Sequence, residues 1–124
     1  MSGDAIMRRG EYDGWQPGFI VGRSLTGRRL GVIGAGRIGR AVLARAPGFG
    51  VETRYYQRHR LPIDTEKELL TEWCPLDELL ATADIVSLHA SLNQRNRHLL
   101  NAERLAAMKP GSLVINTARG PLID

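Results

Sequence analysis

The stretch GVIGAGRIGR, Gly31–Arg40, constrains this chain more than any other part of it. An apolar run from Arg28 leads into glycines at 34, 36 and 39. A second run then carries Ile38, Ala41, Val42 and Ala46 at helical spacing. The first reads as a strand and the second as an amphipathic helix closed by Pro47 and Gly48. A strand that turns into a helix this sharply needs glycine where the chain turns and where the helix packs on the strand. Gly34 suits the turn, Gly39 the packing, and Gly36 a close approach of something to the backbone.

The same alternation continues. VETRYY, Val51–Tyr56, is a second strand, and DTEKELLTE, Asp64–Glu72, a polar helical turn or two. WCP, Trp73–Pro75, has room for a very short strand. LDELLATA, Leu76–Ala83, is a short helix with Leu76, Leu79 and Leu80 on one side. DIVSLHA, Asp84–Ala90, is a third clear strand. NAERLAAM, Asn101–Met108, is a helix opened by an Asn101 cap, and GSLVINT, Gly111–Thr117, a fourth clear strand. Strands that alternate with helices pair in parallel through right-handed crossovers. Their nearly continuous apolar runs imply that both sheet faces are covered. The fold class is therefore α/β, a Rossmann-type doubly wound parallel sheet. With four to five strands against the six of a full dinucleotide-binding domain, it is incomplete.

A chain of 124 residues holds one domain's core. Residues 1–25, glycine-rich with Tyr12, Trp15 and Phe19 scattered among them, read as an irregular arm with room for a short helix. Residues 26–124 form the regular domain. No apolar run approaches the roughly 20 residues of a bilayer span, so no membrane association is expected. The first residues lack the order of a signal peptide. The lone Cys74 excludes an internal disulfide and fits a reducing compartment, with the cytoplasm as the default. The net charge of +4 comes from arginines spread along the chain and interleaved with acids, without a basic run or a stacking motif. Nucleic acid is not expected as a partner, and no metal site is expected.

The glycine spacing in its strand–loop–helix setting points to a dinucleotide whose pyrophosphate sits at the helix N-terminus. About 20 residues on, an acid normally holds the ribose hydroxyls of NAD. Gln57 stands there instead, followed by Arg58, His59 and Arg60. Glutamine does not repel a 2′-phosphate and arginines pair with one, which favours NADP over NAD. At the end of the last strand, VINTARG presents Asn116, Thr117 and Arg119 where a ligand is usually served.

Taken together, GVIGAGRIGRAV, YYQRHRLP, DIVSLH and LLNAERLAAMKPGSLVINTARGPLID resemble the D-isomer-specific 2-hydroxyacid dehydrogenases, closest to their glyoxylate and hydroxypyruvate reductase branch. The likeness runs from about Tyr12 to Asp124. It implies a cytoplasmic, NAD(P)-dependent oxidoreductase that reduces small 2-oxo acids by hydride transfer and is a homodimer at full length. It further implies that Arg119 is catalytic, gripping the substrate carboxylate and polarising the carbonyl. Arg37 and Ile38 would line the pyrophosphate, and Thr117 and Ala118 the nicotinamide. His89 and Ala90 would lie beside the cofactor, with His89 structural and not the family's acid–base histidine. Ser91 and Asn96 replace the family's usual proline and frequent threonine at cofactor-adjacent positions.

The family's catalytic glutamate and histidine have no counterpart among these 124 residues, nor does its substrate domain. By resemblance the chain is a fragment. Its 1–25 arm enters from that absent domain, and its dinucleotide-binding domain is truncated at the C-terminal end and inactive alone. The alternative is a catalytically silent dinucleotide-binding or dimerisation module.

Overall fold

A computed structural model describes residues 3–14, 18 and 22–124. Trp15 and Phe19 lie outside the described residues. Helix α1 (Gly3–Arg8) begins the chain and buries Ile6. Five strands follow: β1 (Arg29–Ile33), β2 (Glu52–Tyr56), β3 (Thr71–Trp73), β4 (Ile85–Leu88) and β5 (Leu113–Asn116). They pair in the order β3-β2-β1-β4-β5, and every pairing is parallel. The chain steps outward from the central β1 to β3, crosses over, and steps outward again from β4 to β5. The connections reverse direction between β1 and β4, where a doubly wound sheet leaves a crevice at the carboxyl ends of its strands.

The sheet has a core on each face because β1 alternates. Val32 joins Ala35, Leu43, Tyr55 and Leu61 in one cluster. Ile33 joins Leu79, Leu80, Val86, Leu88, Leu100 and Leu122 in the other. Helix α2 (Arg37–Arg45) contributes Leu43 to the first, and α4 (Leu76–Thr82) contributes Leu79 and Leu80 to the second. α4 lies so close to β1 that a Cβ on Gly31 would stand 2.4 Å from Leu79 Cδ2. At the opposite end of the strands, Asp84 accepts from the Arg29 N–H at 2.9 Å and from Lys109 Nζ at 3.1 Å. That carboxylate ties β1 to the segment entering β5, and the Arg29 N–H, then Lys109, hold its pKa below the usual aspartate value.

Four expectations need adjustment. The α-helix of α2 stops at Arg45, and Pro47 and Gly48 sit inside a 3-10 turn, Ala46–Phe49, that ends at left-handed Gly50. Ile38 is not on the buried stripe, which runs through Gly39 and Leu43; its side chain is 69% exposed. The third strand in sequence begins two residues early, at Thr71. Helix α3 (Ile63–Glu68) ends at a turn where Leu70 takes φ +51°, so the chain is already extended before Trp73. Burial on both faces holds for β4 but fails for β5, whose Leu113 and Ile115 are 47% and 44% exposed. β5 is an edge strand, and among the described residues nothing fully covers it. No helix of the described residues is long and apolar enough to cross a membrane.

Candidate functional site

The predicted site residues follow the carboxyl ends of four parallel strands: Gly34–Gly39 after β1, Gln57–Arg60 after β2, His89–Asn96 after β4 and Thr117–Arg119 after β5. Sequence distance therefore becomes spatial order across one edge of the sheet.

At the centre, Gly34 takes φ +96°, and its N–H donates to Tyr56 O at 2.8 Å. A Cβ there would stand 2.7 Å from the Ala90 nitrogen, so the tips of β1 and β4 meet only because this residue is glycine. A Cβ on Gly39 would lie 2.0 Å from Gly34 O, which is why α2 can start directly against the turn. Gly36 differs from both: nothing lies within 4 Å of its missing Cβ, and it is exposed. It is also the N-cap of α2. No side chain caps that end, and no acid sits in the first turn. The first N–H groups of α2 thus face open space at the positive end of the helix, beside exposed Arg37. Uncapped donors, an open approach and a neighbouring cation fit a pyrophosphate.

After β2, Gln57 is bound into the structure at three points. Its Oε1 accepts from the Ala35 N–H at 3.2 Å and its Nε2 donates to His59 O at 2.6 Å. Its own carbonyl accepts from the Trp73 indole at 3.0 Å. Arg60 turns inward, with Nε and Nη2 donating to the two oxygens of Glu66 at 2.8 and 2.7 Å. Arg58 is exposed.

After β4, His89 is partly buried, and its Nε2 lies 2.9 Å from Ser87 Oγ. Burial pushes its pKa below the ordinary histidine value, so the ring is neutral at neutral pH. Asn96 holds the following loop by donating from Nδ2 to Ser91 O at 2.5 Å and accepting from the Asn93 N–H at 2.7 Å. His98 pairs through Nδ1 with Asp124 Oδ1 at 3.0 Å. After β5, Asn116 shapes the turn: Oδ1 accepts from the Ala118 N–H at 3.0 Å, and Nδ2 donates to Arg119 O at 2.9 Å. The exposed Arg119 guanidinium donates to Ala118 O at 2.8 Å.

Ile38, His89, Ala90, Ser91, Leu92, Thr117, Ala118 and Arg119 enclose a cleft of about 460 Å³. Through Ile38, His89 and Ser91 it continues into a groove of about 610 Å³ along Gly36, Arg37, Ala41, Val42 and Arg45. Groove and cleft together form a channel whose lining includes both the uncapped start of α2 and Arg119. A larger hollow of about 770 Å³ lies against the β3 edge, away from this channel, and the charged Arg60 and Glu66 in its lining pair with each other. The exposed Ile38 gains its meaning here: it is the apolar wall where groove and cleft join. Leu92 and Ser87 escaped the sequence reading. Ser87 was signalled only by standing two residues before His89, on the same side of the strand.

The family profile described as D-isomer specific 2-hydroxyacid dehydrogenase, NAD binding domain, matches residues 1–124. The chain is 40% identical over 125 residues to a glyoxylate reductase of Thermococcus litoralis, covering 98% of this chain and 38% of that protein. Among solved structures it superposes on a glyoxylate reductase from Paecilomyes thermophila with a TM-score of 0.84 at 40% identity, covering 98% of this chain and 35% of that one. It also superposes on D-lactate dehydrogenase from Escherichia coli with a TM-score of 0.84 at 34% identity, covering 98% and 38%. The chain therefore spans little more than a third of the length of these relatives. Family profile, strand order and glycine geometry agree: this chain belongs to the D-isomer specific 2-hydroxyacid dehydrogenases and corresponds to their NAD-binding domain.

Proposed function

We propose that this chain is the nucleotide-binding part of a cytoplasmic, homodimeric reductase of small 2-oxo acids, glyoxylate or hydroxypyruvate, with NADP preferred over NAD. Residues 26–124 are its dinucleotide-binding domain, and residues 1–25 are the arm that leads in from a substrate domain. The observation that carries the reading is the channel that joins the uncapped α2 terminus to Arg119. A bound nicotinamide dinucleotide supplies the hydride. Gly36 lets the pyrophosphate reach the α2 donors, with Arg37 and Ile38 at its sides. His89, Ala90, Ser91 and Asn96 form the β4 side of the channel, and Thr117 and Ala118 the nicotinamide end. Arg119 grips the carboxylate of the 2-oxo acid with two parallel hydrogen bonds and draws electron density from its carbonyl.

His89 is the only imidazole in the cleft lining; burial holds its pKa below the ordinary histidine value, which favours the neutral ring, and the ring is bonded to Ser87. The proton for the product hydroxyl is therefore assigned to the rest of the longer protein. The same observation favours a second reading, that the 124 residues alone bind the dinucleotide and catalyse nothing. Titration of the chain with NADPH and NADH tests the first claim, with NADPH expected to bind more tightly; tighter NADH would overturn the preference. In the longer protein, Arg119→Ala should raise KM for glyoxylate and lower kcat while leaving cofactor affinity unchanged.

A further inference from the structure

The loop Gln57–Pro62, which follows β2, carries Gln57, Arg58 and Arg60, three of its side chains able to act on a ribose or a 2′-phosphate. Two of them are already occupied by the loop itself. The Gln57 amide bridges Ala35 N–H and His59 O. Arg60 is held by Glu66, whose side chain is 5% exposed while that of Arg60 is 53% exposed, so the acid is fixed in the interior and the arginine folds in to meet it. The same Glu66 Oε1 accepts from Tyr55 OH at 2.6 Å, and the Tyr55 oxygen accepts from the Leu61 N–H at 2.7 Å. Tyr55 is fully buried. A buried carboxylate is tolerable only with its charge cancelled and its oxygens bonded. Glu66 therefore needs Arg60, and Arg60 is not free to leave.

The charges follow directly. Gln57 is neutral, and Arg60 and Glu66 cancel. The loop's one uncompensated cation is the exposed Arg58. We propose that the buried Tyr55 and Glu66 form a positioning device for cofactor choice: by engaging Arg60 and the Leu61 N–H they hold the loop in one shape, in which Arg58 is the arginine that meets the 2′-phosphate. This rests on the NADP reading above. Selectivity is then set partly by a tyrosine hydroxyl that never touches the ligand.

The test is the ratio of NADPH to NADH affinity, measured by titration calorimetry on the 124-residue chain. Arg58→Ala should lower the ratio about tenfold with NADH affinity unchanged, the loss of one charge-assisted contact. Tyr55→Phe removes a single oxygen and no charge, yet should lower the ratio at least about threefold, because a loosened loop no longer presents Arg58. In the Arg58→Ala background Tyr55→Phe should change the ratio no further. A purely structural role would lower both affinities together and leave the ratio intact, which overturns the proposal. So does a Tyr55→Phe effect that simply adds to that of Arg58→Ala. If Tyr55→Phe does not fold, Arg60→Lys serves at a more exposed position: it keeps the charge but loses the two-pronged grip, and an unchanged ratio again overturns the proposal. A wild-type ratio at or below one removes the NADP reading and this inference with it. A ratio above one that ignores the Tyr55 and Arg60 variants removes this inference alone.

Discussion

Replacing Gly39 by alanine separates packing from propensity. Gly39 lies inside α2, and alanine in a helix interior is favoured over glycine by about 1 kcal/mol, so propensity alone predicts a gain in stability. The structure predicts the opposite. The new Cβ would stand 2.0 Å from Gly34 O, about 1.4 Å short of an ordinary 3.4 Å contact, and the atom it meets is backbone. α2 would have to withdraw from β1, opening the contact beneath Leu43. Overpacking of this severity costs about 3 kcal/mol, at the upper end of the usual range. The net loss is about 2 kcal/mol, or about 8 °C in Tm for a domain of this size. Gly36→Ala is the matched control. Its Cβ would meet nothing within 4 Å and its φ of −72° suits any residue, so Tm should fall by no more than the small loss of a glycine N-cap, under about 1 kcal/mol. It should nevertheless weaken dinucleotide binding at least about tenfold, because the methyl occupies the space through which the pyrophosphate approaches. Thermal melts with and without NADPH read both effects. A stabilised Gly39→Ala would refute the packing account, and a Gly36→Ala chain whose melt NADPH raises as much as wild type would refute the phosphate account.

Four further outcomes follow from the structure. Leu79→Ala deletes a fully buried side chain pressed against Gly31 and should cost about 2–5 kcal/mol in a denaturant melt, with little recovery because the strand backbone cannot move in to fill the gap. Glu52, Glu66 and Asp84 all have folded-state pKa values below the usual range, chiefly through Arg29, Arg60 and the Arg29 N–H respectively. Their stabilisation is complete above the unfolded carboxylate value and is lost as pH falls through the folded ones, so Tm should be flat above about pH 5 and drop below it. On the alkaline side, Tyr55 is pushed up to about 12, mainly by burial and then by Glu66; its contribution is full below pH 10 and lost as pH rises toward 12. Asn116→Ala removes the bonds to Ala118 N and Arg119 O and should cost about 1–2 kcal/mol in stability, read in a denaturant melt.

The centre of the sheet was legible in the sequence because β1 and β4, the buried central strands, are mainly apolar runs. The glycine turn was legible because its geometry excludes other residues. What escaped depends on partners distant in the chain. Gln57 looked like a ribose ligand, but its amide is divided between Ala35, 22 residues earlier, and His59. Arg60 looked free for a phosphate, and only the fold brings the Glu66 carboxylate against its guanidinium. Ile38 fitted a helical apolar stripe, yet helix phase places Gly39 and Leu43 inward and leaves Ile38 on the channel wall. A period cannot distinguish a residue buried by the core from one left open on a cleft wall.

The segment after Arg119 turns back along the β4–α5 connection, where α5 is Ala102–Ala106. The His98 N–H donates to Pro121 O, the Leu100 N–H to Leu122 O and the Asp124 N–H to Leu100 O, with Leu100 and Leu122 fully buried between. The two banks of the cleft, Ser91–Leu92 and Thr117–Arg119, are thereby laced into one closed hoop. The chain that leaves each bank is pinned to the other, which limits the freedom of the arginine turn once the chain has folded. A substitution at the buried Leu100 or Leu122 would slacken that hoop and loosen the Arg119 turn from a distance.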